Sequence, residues 1–173
     1  LPTVHMPSPA VRQRRSLIGY RRKLVERITA IKNAIRSILT RQGLPMASGK
    51  SGWTAKSLGR LLELSRPLGQ AGLEDLWRAE LHQELGLLSA NQKALQAVER
   101  KLNALGRGDA RVQLLRSIPG VGPRLSEAFV AAIDDPHRFR TGRQVGSYFG
   151  LTPRQYQSGS ADRQGRITGQ GNR

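Results

Sequence analysis

The chain lacks cysteine entirely, and it is poor in aromatic residues, acidic residues and long apolar runs. The missing cysteines exclude disulfide scaffolds, zinc fingers, thiol nucleophiles and iron–sulfur sites. There is no run of about 18 uncharged apolar residues, which excludes a transmembrane helix. No short apolar stretch follows a basic start, so we expect no secretory signal. With aromatics at 5% of 173 residues, we expect a lean core that is mostly aliphatic.

Basic residues far outnumber acidic ones. The 29 Lys and Arg residues against 12 Asp and Glu give a formal net charge of +17, concentrated at the two ends of the chain. We interpret this positive charge as a sign of a nucleic-acid partner. The alternatives are an anionic membrane surface and a charge that only keeps the protein soluble. The basic residues are mostly arginine, whose planar fork suits phosphate oxygens, and no Trp- and Phe-rich apolar face accompanies them. We therefore expect a cytoplasmic, nucleoid-associated protein with no membrane partner.

Two long stretches with heptad spacing predict a mainly α-helical fold. The first helix is expected to begin at Ser8-Pro9 and to end at Gly43, with its apolar stripe interrupted at Arg21. The second is expected over about residues 73–105, with Glu84 and Asn91 as polar positions in its stripe. The stripes consist of Leu17, Leu24, Ile28, Ile31, Ile35 and Ile38 in the first helix and Leu81, Leu88, Leu95, Val98, Leu102 and Leu105 in the second. They fit either an antiparallel helical pair or a coiled coil that dimerises, and we expect a homo-oligomer through the coiled coil.

The predicted organisation has three parts. An extended tail covers residues 1–8, and a long helical region with a loop at 43–53 covers residues 9–106. Residues 107–173 form a small domain of helix-hairpin-helix type with an irregular, Gly-rich C-terminal segment. Because the chain begins at Leu1 and stops inside a Gly-rich run, we expect a fragment, although a processed start would look the same.

The segment from Ile118 to Pro123 has the pattern of a helix-hairpin-helix turn. Gly120 and Gly122 allow the backbone to approach a phosphate closely, and the following helix presents free N–H groups to it, with Arg124 adding charge. The pattern is moderately specific for DNA backbone contact; the alternative is an ordinary Gly-rich turn between helices. Asp134-Asp135 invites a metal interpretation, but the end of a helix before Pro136 explains it more simply, so we expect no metal site.

An ordered set of motifs in this sequence resembles the serine-bearing insertion-sequence transposases. These are bridge-RNA-guided recombinases whose full chains begin with a RuvC-like acidic (DEDD) domain. In the C-terminal part the motifs are Leu115–Pro123, Arg138-Phe139, Tyr148–Pro153, Tyr156–Gly159, Gly165–Thr168 and Gly171–Arg173. In the first helix they are Val4–Pro7, Arg21–Val25, Lys32-Asn33 and Leu39–Gly43. The resemblance spans nearly the whole chain.

The resemblance implies that Ser158 is the nucleophile that attacks a DNA phosphodiester and holds the strand as a phosphoserine ester. Gly159 beside it would let the phosphate approach closely, and Arg154, Arg163 and Arg166 would clamp phosphates. Ser160 is the rival for the nucleophile, and local sequence alone would make the segment a polar loop.

The resemblance also implies partners and limits. DNA is the expected partner, with a guide RNA as a further one. No cofactor is expected in this chain, because the acidic domain that would supply Mg²⁺ ligands is absent from it. The chain also has Gly169 where the family commonly has lysine. We expect a transposase fragment that binds nucleic acid and is inactive alone. The alternatives are a non-catalytic nucleic-acid-binding module and a coiled-coil assembly protein.

Overall fold

The computed structural model describes residues 5–169, with backbone alone at residue 161, and it confirms a mainly helical fold with long helices. The helices are α1 (Pro9–Arg41), α2 (Ala55–Leu64), α3 (Leu76–Arg107), α4 (Ala110–Arg116), α5 (Pro123–Ile133) and α6 (Gly142–Tyr148). Two strands follow, β1 (Pro153–Ser158) and β2 (Ala161–Ile167). Single 3₁₀ turns occupy Ser51–Trp53, Leu68–Gln70, Leu73–Asp75 and Pro136–Arg138. None of the helices within residues 5–169 is long and apolar enough to cross a membrane.

The chain divides into two compact units. The first, here called the helical unit, comprises residues 16–109. The second, here called the terminal unit, combines the N-terminal segment through Arg15 with the chain from Ala110 onward. The division into three parts at residues 8 and 106 stays a prediction. The first turns of α1 belong to the terminal unit and the rest of that helix to the helical unit.

The helical unit is an antiparallel pair of long helices with α2 packed beside it. Near the start of its share of α1, Leu24 packs with Val98 and Leu102 of α3. Toward the end of α1, Ile35, Ile38 and Leu39 pack with Leu61 of α2 and with Leu81, Leu85 and Leu88 of α3. Residues later in α1 contact residues earlier in α3, so the two helices run in opposite directions. The apolar stripes therefore bury each other within one chain.

The helix ends follow the expected local chemistry. Val11 donates its backbone N–H to the Ser8 side-chain oxygen at 3.3 Å, which caps the start of α1. Gly43 adopts a φ of 66° just beyond the end of α1, a conformation in which glycine avoids the penalty of a side chain. Arg21, which interrupts the apolar stripe, donates its Nε to Glu99 Oε1 of α3 at 2.9 Å. The residue that interrupts the apolar stripe of α1 thus forms an ion pair with α3.

In the terminal unit, α4 packs on α5, and the C-terminal end of α5 is held by arginine side chains. Arg15 donates to the carbonyls of Ala131 and Ala132 at 2.7 and 3.0 Å. Arg138 donates to the carbonyls of Ile133 and Ala132, and its guanidinium lies 4.4 Å from the ring centroid of Phe139. These cations satisfy carbonyls that a helix end leaves without partners, and they complement its dipole.

The C-terminal segment corrects one expectation, because it is a β-hairpin and not irregular. β1 and β2 pair in antiparallel fashion, with Ser158 opposite Ala161 across the two-residue turn Gly159-Ser160. Gly159 has a φ of 58°, and glycine at the first turn position is the signature of a type II′ hairpin turn. The base of the hairpin is anchored at Gly150, whose carbonyl accepts from the backbone N–H of Gly169 at 3.1 Å.

Candidate nucleic-acid interface

The register of the hairpin determines which side chains share a face. Side chains alternate along a strand, so Arg154, Tyr156 and Ser158 of β1 lie on one face. Arg163 pairs with Tyr156 and lies on that face too, whereas Asp162 pairs with Gln157 and lies on the other. We call the surface formed by Arg154, Tyr156, Ser158 and Arg163 the serine face. It brings together the serine and two of the arginines that the sequence singled out.

Arg166, the third of these arginines, lies in a β-bulge. The pairs Pro153–Ile167 and Gln155–Gln164 leave two residues of β2, Gly165 and Arg166, opposite the single residue Arg154 of β1. A bulge of this kind increases the local twist and re-aims the side chains beside it. Arg166 therefore lies next to Arg154 at the base of the hairpin, at the end away from the turn.

The hairpin arginines differ from several arginines of the helical unit because they hold no carboxylate. Arg154, Arg163 and Arg166 are exposed, and within residues 5–169 none of the three pairs with a carboxylate. By contrast, Arg21, Arg41, Arg66 and Arg78 bind carboxylates in the helical unit. A guanidinium group that already binds a carboxylate has fewer N–H donors available for a phosphate. Those of the hairpin keep their donors available for an anion.

Ser158 and Ser160 are both exposed, but they occupy different positions of the turn. Ser158 ends β1, so strand pairing with Ala161 fixes its backbone on the serine face. Ser160 is the second residue of the turn itself. Strand geometry therefore places Ser158 on the side that carries Arg163, whereas Ser160 lies in the turn and is outside the strand alternation. Gly159 is required by the turn: nothing lies within 4 Å of a Cβ built there, and its positive φ is what disfavours other residues.

The predicted phosphate-binding turn lies between α4 and α5. Val121 donates its N–H to the Ile118 carbonyl at 3.0 Å, and Gly120 has a φ of 84°. A proline followed by a glycine with positive φ is the arrangement of a type II β-turn. Gly122 precedes α5 with an ordinary φ of −79°, and both glycines have open space around them. The turn thus leaves its backbone accessible beside the N-terminus of α5.

Arg124 has a partner within the protein that the sequence did not indicate. It is half-buried and donates its Nη1 to Glu127 Oε2 at 2.7 Å, and the Glu127 side chain is only 2% exposed. This pair braces the first turn of α5. Gly120, Gly122 and Arg124 thus lie together on this turn, a different element from the hairpin that carries Ser158.

Two of the three described aspartates that follow α5 have partners within the terminal unit. Asp134 accepts from His5 Nε2 at 2.9 Å, and Asp135 accepts from the His137 backbone N–H at 2.9 Å. Asp162 lies on the hairpin face opposite Ser158. Across the described part of the chain, no three His, Asp or Glu side chains cluster in a way that could hold a metal ion. The side chains of residues 5–169 therefore do not fit Mg²⁺.

Sequence reasoning missed Tyr156 as a member of this surface. It lies opposite Arg163 and two residues before Ser158, and it is 59% exposed. A signal for it exists, since a Gly-Ser pair flanked by two short runs of similar length is typical of a two-residue hairpin. Once the hairpin is placed, alternation alone assigns Tyr156 to the serine face.

The chain is similar to known transposases. Residues 112–173 match the family described as "Transposase IS116/IS110/IS902 family". The chain is 35% identical over 156 residues to a "Probable family 20 transposase" of Pseudomonas aeruginosa, covering 90% of this chain and 45% of that protein. It is 32% identical over 147 residues to the "Transposase for insertion sequence element IS1111A" of Coxiella burnetii, covering 85% of this chain and 39% of that protein.

A third similarity covers a shorter part of the chain. The chain is 41% identical over 49 residues to a "Pilin gene-inverting protein" of Moraxella bovis, covering 28% of this chain and 15% of that protein. The chain spans less than half the length of all three relatives. The predicted transposase resemblance is confirmed at the level of an IS110/IS116-type transposase domain. The motif residues Val4 and Gly171–Arg173 lie outside the described residues.

Proposed function

We propose, from the IS110/IS116-type transposase domain at residues 112–173, that the chain is the DNA-binding and strand-exchange part of a transposase, with Ser158 as its nucleophile. The observation that carries the proposal is the serine face. An exposed serine hydroxyl is held at the end of a strand whose partner strand presents Arg163 on the same side. Polyanion binding by a chain of net charge +17 is consistent with it.

The proposed step is a transesterification at phosphorus. The Ser158 oxygen forms a bond to the phosphorus of a DNA phosphodiester, and the bond from phosphorus to one sugar oxygen breaks. The proton lost by the serine hydroxyl is balanced by the proton that the departing sugar oxygen takes up. The products are a serine phosphodiester and a free sugar hydroxyl, and reversal on another strand completes the exchange.

Arg154 and Arg163 support this step electrostatically. Negative charge grows on the phosphoryl oxygens as the Ser158 oxygen approaches the phosphorus. Guanidinium donors that are already positioned around these oxygens lower the activation barrier of the transesterification. Each can give two parallel N–H bonds to a phosphate, which orients it as well as binding it. Arg166, in the bulge, would bind a neighbouring phosphate along the same strand.

We infer that this chain alone binds DNA but does not exchange strands. The family resemblance implies that Mg²⁺ is used, and the carboxylates of the described residues do not fit a divalent ion. The chain also matches less than half the length of its relatives. Strand exchange by these 173 residues in isolation would refute this part of the proposal.

A guide RNA and a homo-oligomer stay predictions. The basic first 42 residues of the sequence favour an RNA partner as well as DNA, so binding assays need an RNA competitor. The apolar stripes of α1 and α3 are buried against each other, so self-association would have to use other surfaces. A folded monomer that binds DNA would remove the homo-oligomer prediction and leave the DNA proposal intact.

Salt dependence of DNA binding tests the proposed function. Affinity for a short duplex is measured between 50 and 200 mM salt, where a protein that binds 6–10 phosphates loses about 10³–10⁵-fold. Alanine at Arg154, Arg163 and Arg166 should reduce the slope of log affinity against log salt by up to about 0.9 for each phosphate that the variant no longer binds. Flat, weak binding by the unaltered chain would favour the assembly-protein alternative.

A matched control separates site from charge. Alanine at Arg60, Lys93 and Arg100 also removes three positive charges, but from exposed positions of the helical unit. If the hairpin binds DNA, the control variant keeps an affinity and a salt slope close to those of the unaltered chain. Equal losses in the two variants would show that net charge alone drives binding and would contradict a site on the hairpin.

A further inference from the structure

One edge of the Tyr156 ring lies near Gly165, the residue of the partner strand that the bulge places beside Arg154. A Cβ built on Gly165 would be only 3.0 Å from Tyr156 Cε2 and 3.4 Å from Arg154 Cβ. Gly165 has no positive φ, so its backbone does not require glycine. The missing side chain is instead what allows the tyrosine ring to lie against the backbone of β2.

Much of Tyr156 is open to solvent. The residue is 59% exposed although its ring edge lies near Gly165. Within the described residues its ring takes part in none of the aromatic pairs or cation–π contacts, which occupy Phe129, Phe139, Tyr148 and Phe149 elsewhere in the terminal unit. The exposed ring is therefore accessible to a ligand.

The neighbours of the ring are those of a nucleic-acid-binding surface. Arg163 lies directly across from Tyr156, Arg154 lies two residues before it, and Ser158 lies two residues after it on the same face. Proteins that hold single strands combine cations along the backbone path with aromatic rings on which bases stack. Two residues of a strand span about 6.7 Å, which is on the scale of one nucleotide from its base to its phosphate.

We propose that Tyr156 is a stacking platform for an unpaired nucleobase of the DNA strand whose phosphodiester faces Ser158. The inference rests on the proposed function and deepens it, because it defines the substrate at the serine face as locally single-stranded DNA. A base that is still paired inside a duplex cannot lie on the ring. Tyr156 acts as a positioning residue: it holds the nucleotide while the guanidinium groups hold its phosphate.

Gly165 leaves the space beside which the Tyr156 ring lies. A methyl group at this position would require the Tyr156 ring to shift by a few tenths of an ångström, and it would leave the tyrosine chemically unchanged. The variant Gly165→Ala therefore separates the placement of the ring from its presence. Tyr156→Phe separates stacking from hydrogen bonding by the phenol, since it removes only the hydroxyl.

The test is binding of the 173-residue chain to a 12-nucleotide single strand containing 2-aminopurine, whose fluorescence is quenched by stacking, and to the matching duplex. Tyr156→Ala should lower single-strand affinity by about 5- to 150-fold and abolish quenching, since stacking contributes that much per base. Tyr156→Phe should bind and quench like the unaltered chain. Gly165→Ala should weaken quenching less than Tyr156→Ala does, and Gln157→Ala, on the opposite face, should change nothing.

The outcomes distinguish this inference from the proposed function. Undiminished quenching in Tyr156→Ala, or equal losses in Tyr156→Phe and Tyr156→Ala, would overturn the stacking role. Losses of the same size on duplex and single strand would overturn it as well, because they would report a damaged hairpin and not a missing platform. If the unaltered chain binds neither DNA, or binds independently of the hairpin arginines, the proposed function itself fails.

Discussion

Ser158 and Arg163 lie on the same face of the C-terminal hairpin, one on each strand, because Arg163 pairs with Tyr156 and strand residues two apart share a face. In sequence they are separated by a turn and by Asp162, which suggests no relationship between them. The antiparallel register brings the hydroxyl and the guanidinium together and turns the intervening carboxylate to the other side. Substitutions in the hairpin and in the elements around it can test this arrangement.

Exchanging two neighbouring residues tests the face directly. The double variant Arg163→Gln with Gln164→Arg keeps composition and net charge and moves the guanidinium to the opposite face. We expect DNA affinity to fall about tenfold, the effect of removing one charge-assisted hydrogen bond, as in Arg163→Gln alone. Titration of a labelled duplex at fixed salt measures this. Full affinity in the exchanged variant would mean that the face of the arginine is irrelevant.

The two glycines of the turn before α5 should respond differently to alanine. Gly120 has a φ of 84°, so Gly120→Ala should destabilise the protein by about 1–2 kcal/mol. Gly122 has an ordinary φ and open space, so Gly122→Ala should fold nearly normally and weaken DNA binding only if a phosphate approaches this backbone. Denaturant unfolding and DNA titration are measured on both variants. A stable Gly122→Ala variant with unchanged affinity would argue against a phosphate at the turn.

Arg138, at the C-terminal end of α5, is expected to stabilise the terminal unit. Arg138 donates to two carbonyls and stacks on the rings of Phe139 and Tyr148, at 4.4 and 4.6 Å from their centroids. We expect Arg138→Ala to destabilise the terminal unit by about 2 kcal/mol, and Arg138→Lys to restore little of it because an ammonium group cannot stack and fork in the same way.

Hydrogen exchange of the α5 amides measures this effect. A loss of about 2 kcal/mol corresponds to roughly a 30-fold faster exchange when the unit opens. Arg140→Ala serves as the control, because Arg140 is exposed and its backbone N–H, not its side chain, holds Gln144. Equal protection in Arg138→Ala and Arg140→Ala would show that the stacked guanidinium does not stabilise this unit.

The sequence predicts the long helices because their signal is local and repetitive. Leu24, Ile35 and Ile38 recur at helical spacing and are indeed buried, and Ser8 and Gly43 bound the first helix as expected. The interruption at Arg21 is visible in the sequence as well. Its explanation is not, since Glu99 lies 78 positions away and only the antiparallel packing brings it into reach.

The hairpin escapes prediction for a physical reason. Strands are recognised by alternation of apolar and polar residues, and β1 exposes every residue from Pro153 to Ser158, so it carries no such alternation. In the sequence, Gly159 suggests room for a phosphate, whereas in the structure its positive φ serves the hairpin itself. The family resemblance indicates Ser158 and the hairpin arginines as site residues. Only the strand register shows that Ser158, Arg154 and Arg163 lie on the same face.

Trapping of covalent protein–DNA adducts tests the central claim most directly. The chain is combined with the part of the Pseudomonas aeruginosa relative that it does not match, with Mg²⁺, guide RNA and labelled donor and target DNA. Adducts are then resolved under denaturing conditions and located by peptide mass spectrometry. We predict a phosphoserine ester at Ser158 that disappears in Ser158→Ala, persists in Ser160→Ala, and is accompanied by unchanged DNA binding in both variants. An adduct that persists in Ser158→Ala, or that maps to Ser160, would contradict the account.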